Sequence, residues 1–170
     1  MFVDLFHTKK VRLALIYLLF LIFVQFLQDT VFARLALFGV KMLFIPAAVC
    51  AVGVHEGGFR GGLYGLVSGI VCDMTFSENT VLFTILFPMV GFIAGLAADF
   101  LMNRSFPAYL ATAAVCTTGV GLVQLLSVLV MQPSALLHGL FVVILQTLWS
   151  MPMAALLYFP VEQIASRFEA

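Results

Sequence analysis

The sequence predicts an all-α fold: a polytopic integral membrane helical bundle of about six transmembrane helices, with both termini cytoplasmic. Three observations predict it. Hydrophobic residues make up 64% of the chain and charged residues only 9%, with a mean hydropathy of +1.17, against about half and about a quarter in soluble domains. Apolar runs separated by short polar breaks recur six times along the 170 residues. The basic residues also fall on alternate sides of those runs. With the amino terminus cytoplasmic, Lys9, Lys10, Arg12, Arg60, Arg104 and Arg167 lie inside and only Arg34 and Lys41 outside, which is the positive-inside pattern. The six runs leave room for loops and tails only, so residues 1–170 form a single transmembrane domain with no soluble domain.

The first run, Leu13 to Phe32, follows a basic stretch and has small-residue spacing at Val31 and Ala33. It is too long for a signal-peptide core and is read as an uncleaved span. The second and third runs, Met42 to Val54 and Gly58 to Cys72, fall short of the ~20 residues of a spanning helix. A hairpin re-entering from outside would sink His55, Glu56 and Arg60 into hydrocarbon at a cost of several kcal/mol, so two spans are expected. Val81 to Phe100, Pro107 to Met131 and Gly139 to Pro160 complete the set. Pro46, Pro88 and Pro152 lie inside runs and are expected to bend helices. Gln124, Ser127, Gln146 and Thr147 are placed to hydrogen-bond between the last two helices.

The third run carries the most specific pattern. In HEGGFRGGLYGLVSGIVCD, Gly57, Gly61, Gly65 and Gly69 recur at every fourth position and the next step lands on Asp73; Gly58 and Gly62 widen the smooth patch. Glycine weakens a helix by about 1 kcal/mol relative to alanine, so a bare ridge in lipid implies close approach of another backbone. Steps of four wind about 160° around the helix between Gly57 and Asp73. Two separate contacts are therefore expected, one at the Gly57 end and one near Asp73, with a partner helix in the same molecule favoured over another protein. Alanine in the ridge is expected to be tolerated better than leucine. Gly91, Gly95 and Asp99 repeat the spacing of Gly65, Gly69 and Asp73. Both aspartates end helices, where the macrodipole disfavours an anion, so each is expected to have a compensating partner. They lie on opposite sides of the membrane and cannot act as a catalytic dyad. Asp73 shares its side with Gln25, Gln28, Asp29, Arg34 and Lys41, and an extracytoplasmic polar cluster of these residues is expected.

No catalytic or cofactor constellation is apparent. Cys50, Cys72 and Cys116 lie in three different runs without a CxxC pair, and His7, His55 and His138 are scattered; no metal, cofactor or nucleic-acid partner is implied. Ser68 in GLVSG lacks the GxSG arrangement of an intramembrane serine protease. The DGxxAR stretch of lipid alcohol phosphotransferases and the GNxxDR stretch of lipoprotein signal peptidase are missing.

The basic amino terminus, the first helix ending in Gln25 and Gln28, the glycine-rich third span ending in Asp73, and VLFTILFPMVGFIAGLAAD resemble the bacterial rod shape-determining protein MreD family. Residues 25–99 carry the specific part; Lys41 and Met42 stand where that family often has a proline and an acidic residue. The resemblance implies a non-enzymatic scaffold subunit of the cell-wall elongation complex in the bacterial inner membrane. Its implied partners are the lipid bilayer, an MreC-like bitopic protein, the RodA polymerase with its transpeptidase and, indirectly, the MreB filament, bound through glycine-rich helix faces. Small six-helix proteins of this composition also resemble the substrate-binding subunits of energy-coupling-factor vitamin transporters, which need polar and aromatic residues converging on a pocket. Trp149, the single tryptophan, reads as a packing residue or interfacial anchor instead.

Overall fold

A computed structural model of the chain describes residues 2–32, 40, 42–75, 81–100, 105–131 and 136–169. Six helices follow one another: α1 (Phe2–Thr30), α2 (Ile45–Glu56), α3 (Gly58–Thr75), α4 (Leu82–Phe100), α5 (Phe106–Met131) and α6 (Leu136–Glu169). No β-strand occurs among the described residues. Four stretches are long and apolar enough to cross a membrane, Lys10–Thr30, Leu82–Asp99, Phe106–Val130 and Leu136–Arg167. The chain is a multi-pass helical membrane protein.

Of the six expected spans, α2 and α3, from the two short runs, are not among these four, and α2 is the shorter. Its 12 residues extend only ~18 Å, against ~30 Å of hydrocarbon. The reason is its position. Every residue from Ile45 to Val54 is buried, and α2 touches all five other helices. A helix that is apolar all round belongs in a protein interior, and one lined by protein does not have to match the bilayer. Ala47, Ala48, Ala51 and Gly53 keep it slim, and Phe87, Tyr109 and Val161 of the surrounding helices are as fully buried as its own Val49 and Val52.

Pro46 initiates α2, occupying its first turn, where a missing N–H costs nothing; it does not bend a span as its position in the run suggested. Pro88 lies inside α4, and Pro152 and Pro160 lie inside α6. The latter helix runs on past Pro160, where the apolar run stops, to Glu169.

A single residue separates α2 from α3. Gly57 has φ +87°, a conformation that side chains strain to adopt. Its N–H bonds the Gly53 carbonyl at 2.9 Å, and its own carbonyl receives the Gly61 N–H at 2.9 Å. Gly57 is thus the turn itself and not the first tooth of the ridge. At this turn the Arg60 guanidinium holds Glu56 at 2.7 Å.

Candidate functional site

Helices α3 and α4 run antiparallel with their backbones in contact. A Cβ atom added at Gly69 would strike the Phe83 carbonyl, one at Gly65 the Phe87 carbonyl, one at Gly61 the Gly91 oxygen at 2.6 Å, and one at Gly95 the Gly58 backbone. Each step of four along α3 is matched by a step of four back along α4. This is i±4 ridge packing on both helices, whose crossing is right-handed. At Gly61, Gly65 and Gly69 the hydrogen that replaces the Cβ points at a carbonyl oxygen, the arrangement of a Cα–H···O contact worth ~0.5–1 kcal/mol.

One helix therefore covers the whole row, from Gly58 against Phe92 to Asp73 against Phe83 and Thr84. The contact expected near Asp73 and the one expected at the Gly57 end join into one along α4, and α2 adds its own at the Gly57 end, where Gly53 meets Gly61. A straight rod would lose the row, but α4 carries a period-four row of its own, and two such rows wind together. The glycine faces of Gly58, Gly61, Gly65, Gly69, Gly91 and Gly95 are consequently occupied within the chain, which leaves them closed as docking faces for another protein. Gly62 sits at the margin, where a Cβ would lie 3.5 Å from the Pro88 carbonyl, in ordinary contact.

Gly53, outside the predicted set, completes the packing. Its Cβ position lies 2.6 Å from the Gly91 oxygen, and that of Gly61 lies 2.7 Å from the Gly53 Cα. Three helices meet at Gly53, Gly61 and Gly91. The signal was present, since Gly53 precedes Gly57 by the same step of four, although the chain reverses direction between them.

Asp73 finds the partner that the macrodipole requires, and Asp99 comes near the start of a neighbouring helix without a hydrogen bond to it among the described residues. Asp73, at the C-terminal end of α3, accepts the N–H groups of Phe83 at 3.1 Å and Thr84 at 2.7 Å, and the Thr84 hydroxyl at 2.6 Å. It performs for α4 the role of an N-cap from another helix. Asp99, near the end of α4, brings Oδ2 to 3.8 Å from the Cβ position of Gly57, beside the first turn of α3. Each carboxylate stands at the negative end of its own helix and the positive end of its neighbour.

The polar residues at the far end of α1 separate into distinct contacts. Gln28 Oε1 accepts the N–H groups of Phe44 at 2.9 Å and Ile45 at 3.2 Å, capping the buried start of α2. Ser150 of α6 accepts the Leu43 N–H at 3.1 Å and donates to the Gln146 carbonyl at 2.7 Å. Gln25 donates to Asp29 at 3.1 Å. Arg34 and Lys41 lie outside the described residues. Deeper in the bundle, the Tyr109 hydroxyl reaches the carbonyls of Ala47 at 3.1 Å and Ala154 at 2.9 Å, tying α5 to α2 and α6. Ser150, Thr84 and Tyr109 carry no sequence signal of these roles, because each bridges elements distant in the chain.

Cys50, Cys72 and Cys116 are free and buried. No cluster of three metal-ligating side chains forms among the described residues. Between α5 and α6, the Thr118 and Thr147 hydroxyls meet at 3.2 Å, whereas Ser127 turns back to the Val123 carbonyl. Gln124, His138 and Gln146 line a cleft there, alongside Gly121 and Gly139. Comparison with protein-family models, with curated proteins and with solved structures returns no match.

Proposed function

We propose that this chain is a non-enzymatic scaffold subunit of the bacterial cell-wall elongation complex, resident in the inner membrane with both termini cytoplasmic. The observation that carries the reading is the use made of the residues on which the MreD resemblance rests. Gln28 caps α2, the glycine rows join α3 to α4, and Asp73 caps α4. These residues brace helices against one another. Such a bundle offers a rigid surface to other membrane proteins, and with its glycine rows engaged internally, the partner faces are those that α1, α5 and α6 turn outward. An MreC-like bitopic protein and the RodA polymerase with its transpeptidase are the partners of this reading, the MreB filament an indirect one. Depletion should change cell shape, and a bitopic partner should copurify from native membranes. Turnover of a lipid or peptide substrate by the purified protein alone would overturn it.

The cleft between α5 and α6 favours one second reading, a vitamin-binding transporter subunit. Gln124, His138 and Gln146 line it among mostly apolar residues, the mixture a ligand site uses. Tight binding of a vitamin-sized ligand, lost in Gln124→Leu and Gln146→Leu, would establish it over the scaffold.

A further inference from the structure

The face of α3 opposite the glycine row meets α1 only loosely. Tyr17 and Tyr64 touch edge to face, their ring centroids 5.8 Å apart. Two clefts between these helices share Tyr64 as a wall. The first is lined by Lys10, Ala14, Arg60 and Leu63, the second by Leu18, Ile22, Val67 and Val71. The first is open, about 320 Å³ under a basic mouth, whereas the second is a crevice of about 10 Å³ that Gln25 and Ser68 also line. From Arg60 to Tyr64 the open cleft follows α3 for ~6 Å, about one turn of helix.

The mouth is electrostatically incomplete. Arg60 is 48% exposed and gives one nitrogen to Glu56, whose side chain is 8% exposed. A guanidinium carries five N–H donors, and those not engaged by Glu56 remain for an oxyanion. Lys10 is exposed and forms no ion pair among the described residues. Lys10 and Arg60 against Glu56 leave one positive charge in excess.

We infer that this open cleft binds an anionic glycerophospholipid, its phosphate held by Lys10 and Arg60 and the upper part of one acyl chain laid against Val11, Ala14, Leu63 and Tyr64. The charge selects an anionic headgroup over a zwitterionic one, whose cation would meet Lys10. The apolar walls select a lipid over free phosphate. A transmembrane helix ~10 Å across is too wide for a cleft pinched where Tyr17 meets Tyr64. This inference does not depend on the scaffold reading, and either can fail alone.

Native mass spectrometry of the purified full chain, titrated with phosphatidylglycerol and with phosphatidylcholine of the same acyl chains, tests it. Wild type should retain phosphatidylglycerol several-fold more strongly, and excess inorganic phosphate should not displace it. Lys10→Gln, at an exposed position, should lower the preference ~5-fold, as expected for one basic residue at a membrane surface. Ala14→Trp should block retention of both lipids by filling the cleft. Equal retention of the two lipids by wild type, an unchanged preference in Lys10→Gln, undiminished retention in Ala14→Trp, or displacement by phosphate would each overturn the assignment. So would a copurifying polypeptide that crosslinks from Leu63→Cys.

Discussion

The carboxylate of Asp73 holds Thr84 twice, through its N–H at 2.7 Å and its hydroxyl at 2.6 Å, and so fixes where α4 begins relative to where α3 ends. Asp73→Ala should lower stability by about 0.5–2 kcal/mol, the range for losing an N-cap. Asp73→Asn, which keeps an acceptor and the size, should cost less and leave the protein in the membrane while weakening partner recovery. Thr84→Val removes the hydroxyl bond alone. Thermal unfolding of these variants and of the Asp73→Ala/Thr84→Val double variant checks the relationship: the two losses should be less than additive because they share a contact. Full additivity would show that the pair does not interact.

Substitutions along α3 should divide by position and not by residue size alone. Gly65→Leu and Gly69→Leu should fail to fold or lose partner binding. Alanine, expected from the sequence to be tolerated in this ridge, should also be harmful at both positions, because the first added carbon already meets the carbonyls of Phe87 and Phe83; overpacking of this kind costs ~1–3 kcal/mol. Gly62→Ala, with ordinary contact distances, should change the melting temperature little. If Gly65→Ala and Gly69→Ala melted like wild type, the helices would not be in backbone contact there.

Gln28→Leu removes the acceptor of two buried amides, Phe44 and Ile45. An unsatisfied buried donor costs about 1–3 kcal/mol, and hydrogen exchange should accelerate at these two amides first. Ser150→Ala should do the same at Leu43 alone. Unchanged protection at Phe44 in Gln28→Leu would place the cap elsewhere.

For the topology in the proposed reading, a reporter fused after Ala170 should be cytoplasmic and one inserted at Asn79 extracytoplasmic. An extracytoplasmic carboxyl terminus would rule out an even number of crossings from a cytoplasmic start.

Much of this interface was legible because its signal is periodic. The steps of four in Gly61, Gly65 and Gly69 and again in Gly91 and Gly95 called for backbone contact, and the poor placement of Asp73 at the end of its own helix called for a partner. That the two rows are each other's partner was not legible, since spacing on one helix does not name the helix it meets. The central place of α2 was hidden for a different reason. Apolar residues serve equally against lipid and against protein, so Ile45 to Val54 read as a short span when they form the axle of the bundle. Gln28 and Ser150 were illegible as caps because their acceptors serve amides 16 and 107 positions away in the chain.

That last separation gives the burial of α2 a schedule. The Leu43 N–H acquires its acceptor only when Ser150 has been made, 107 residues later, and Tyr109 must also arrive before the Ala47 carbonyl receives its hydroxyl. At ~5–20 residues per second, the first turn of α2 waits roughly 5–20 s for its last companion. Until α5 and then α6 are made, a helix too short for the bilayer has only α1, α3 and α4 to shelter it, so the pair of helices joined through their glycines acts as a holding site during synthesis. Chains arrested before α6 should expose the start of α2 to proteases and quality control, and a change that loosens the early pair should show its largest effect on the yield of inserted protein, ahead of any effect on the finished molecule.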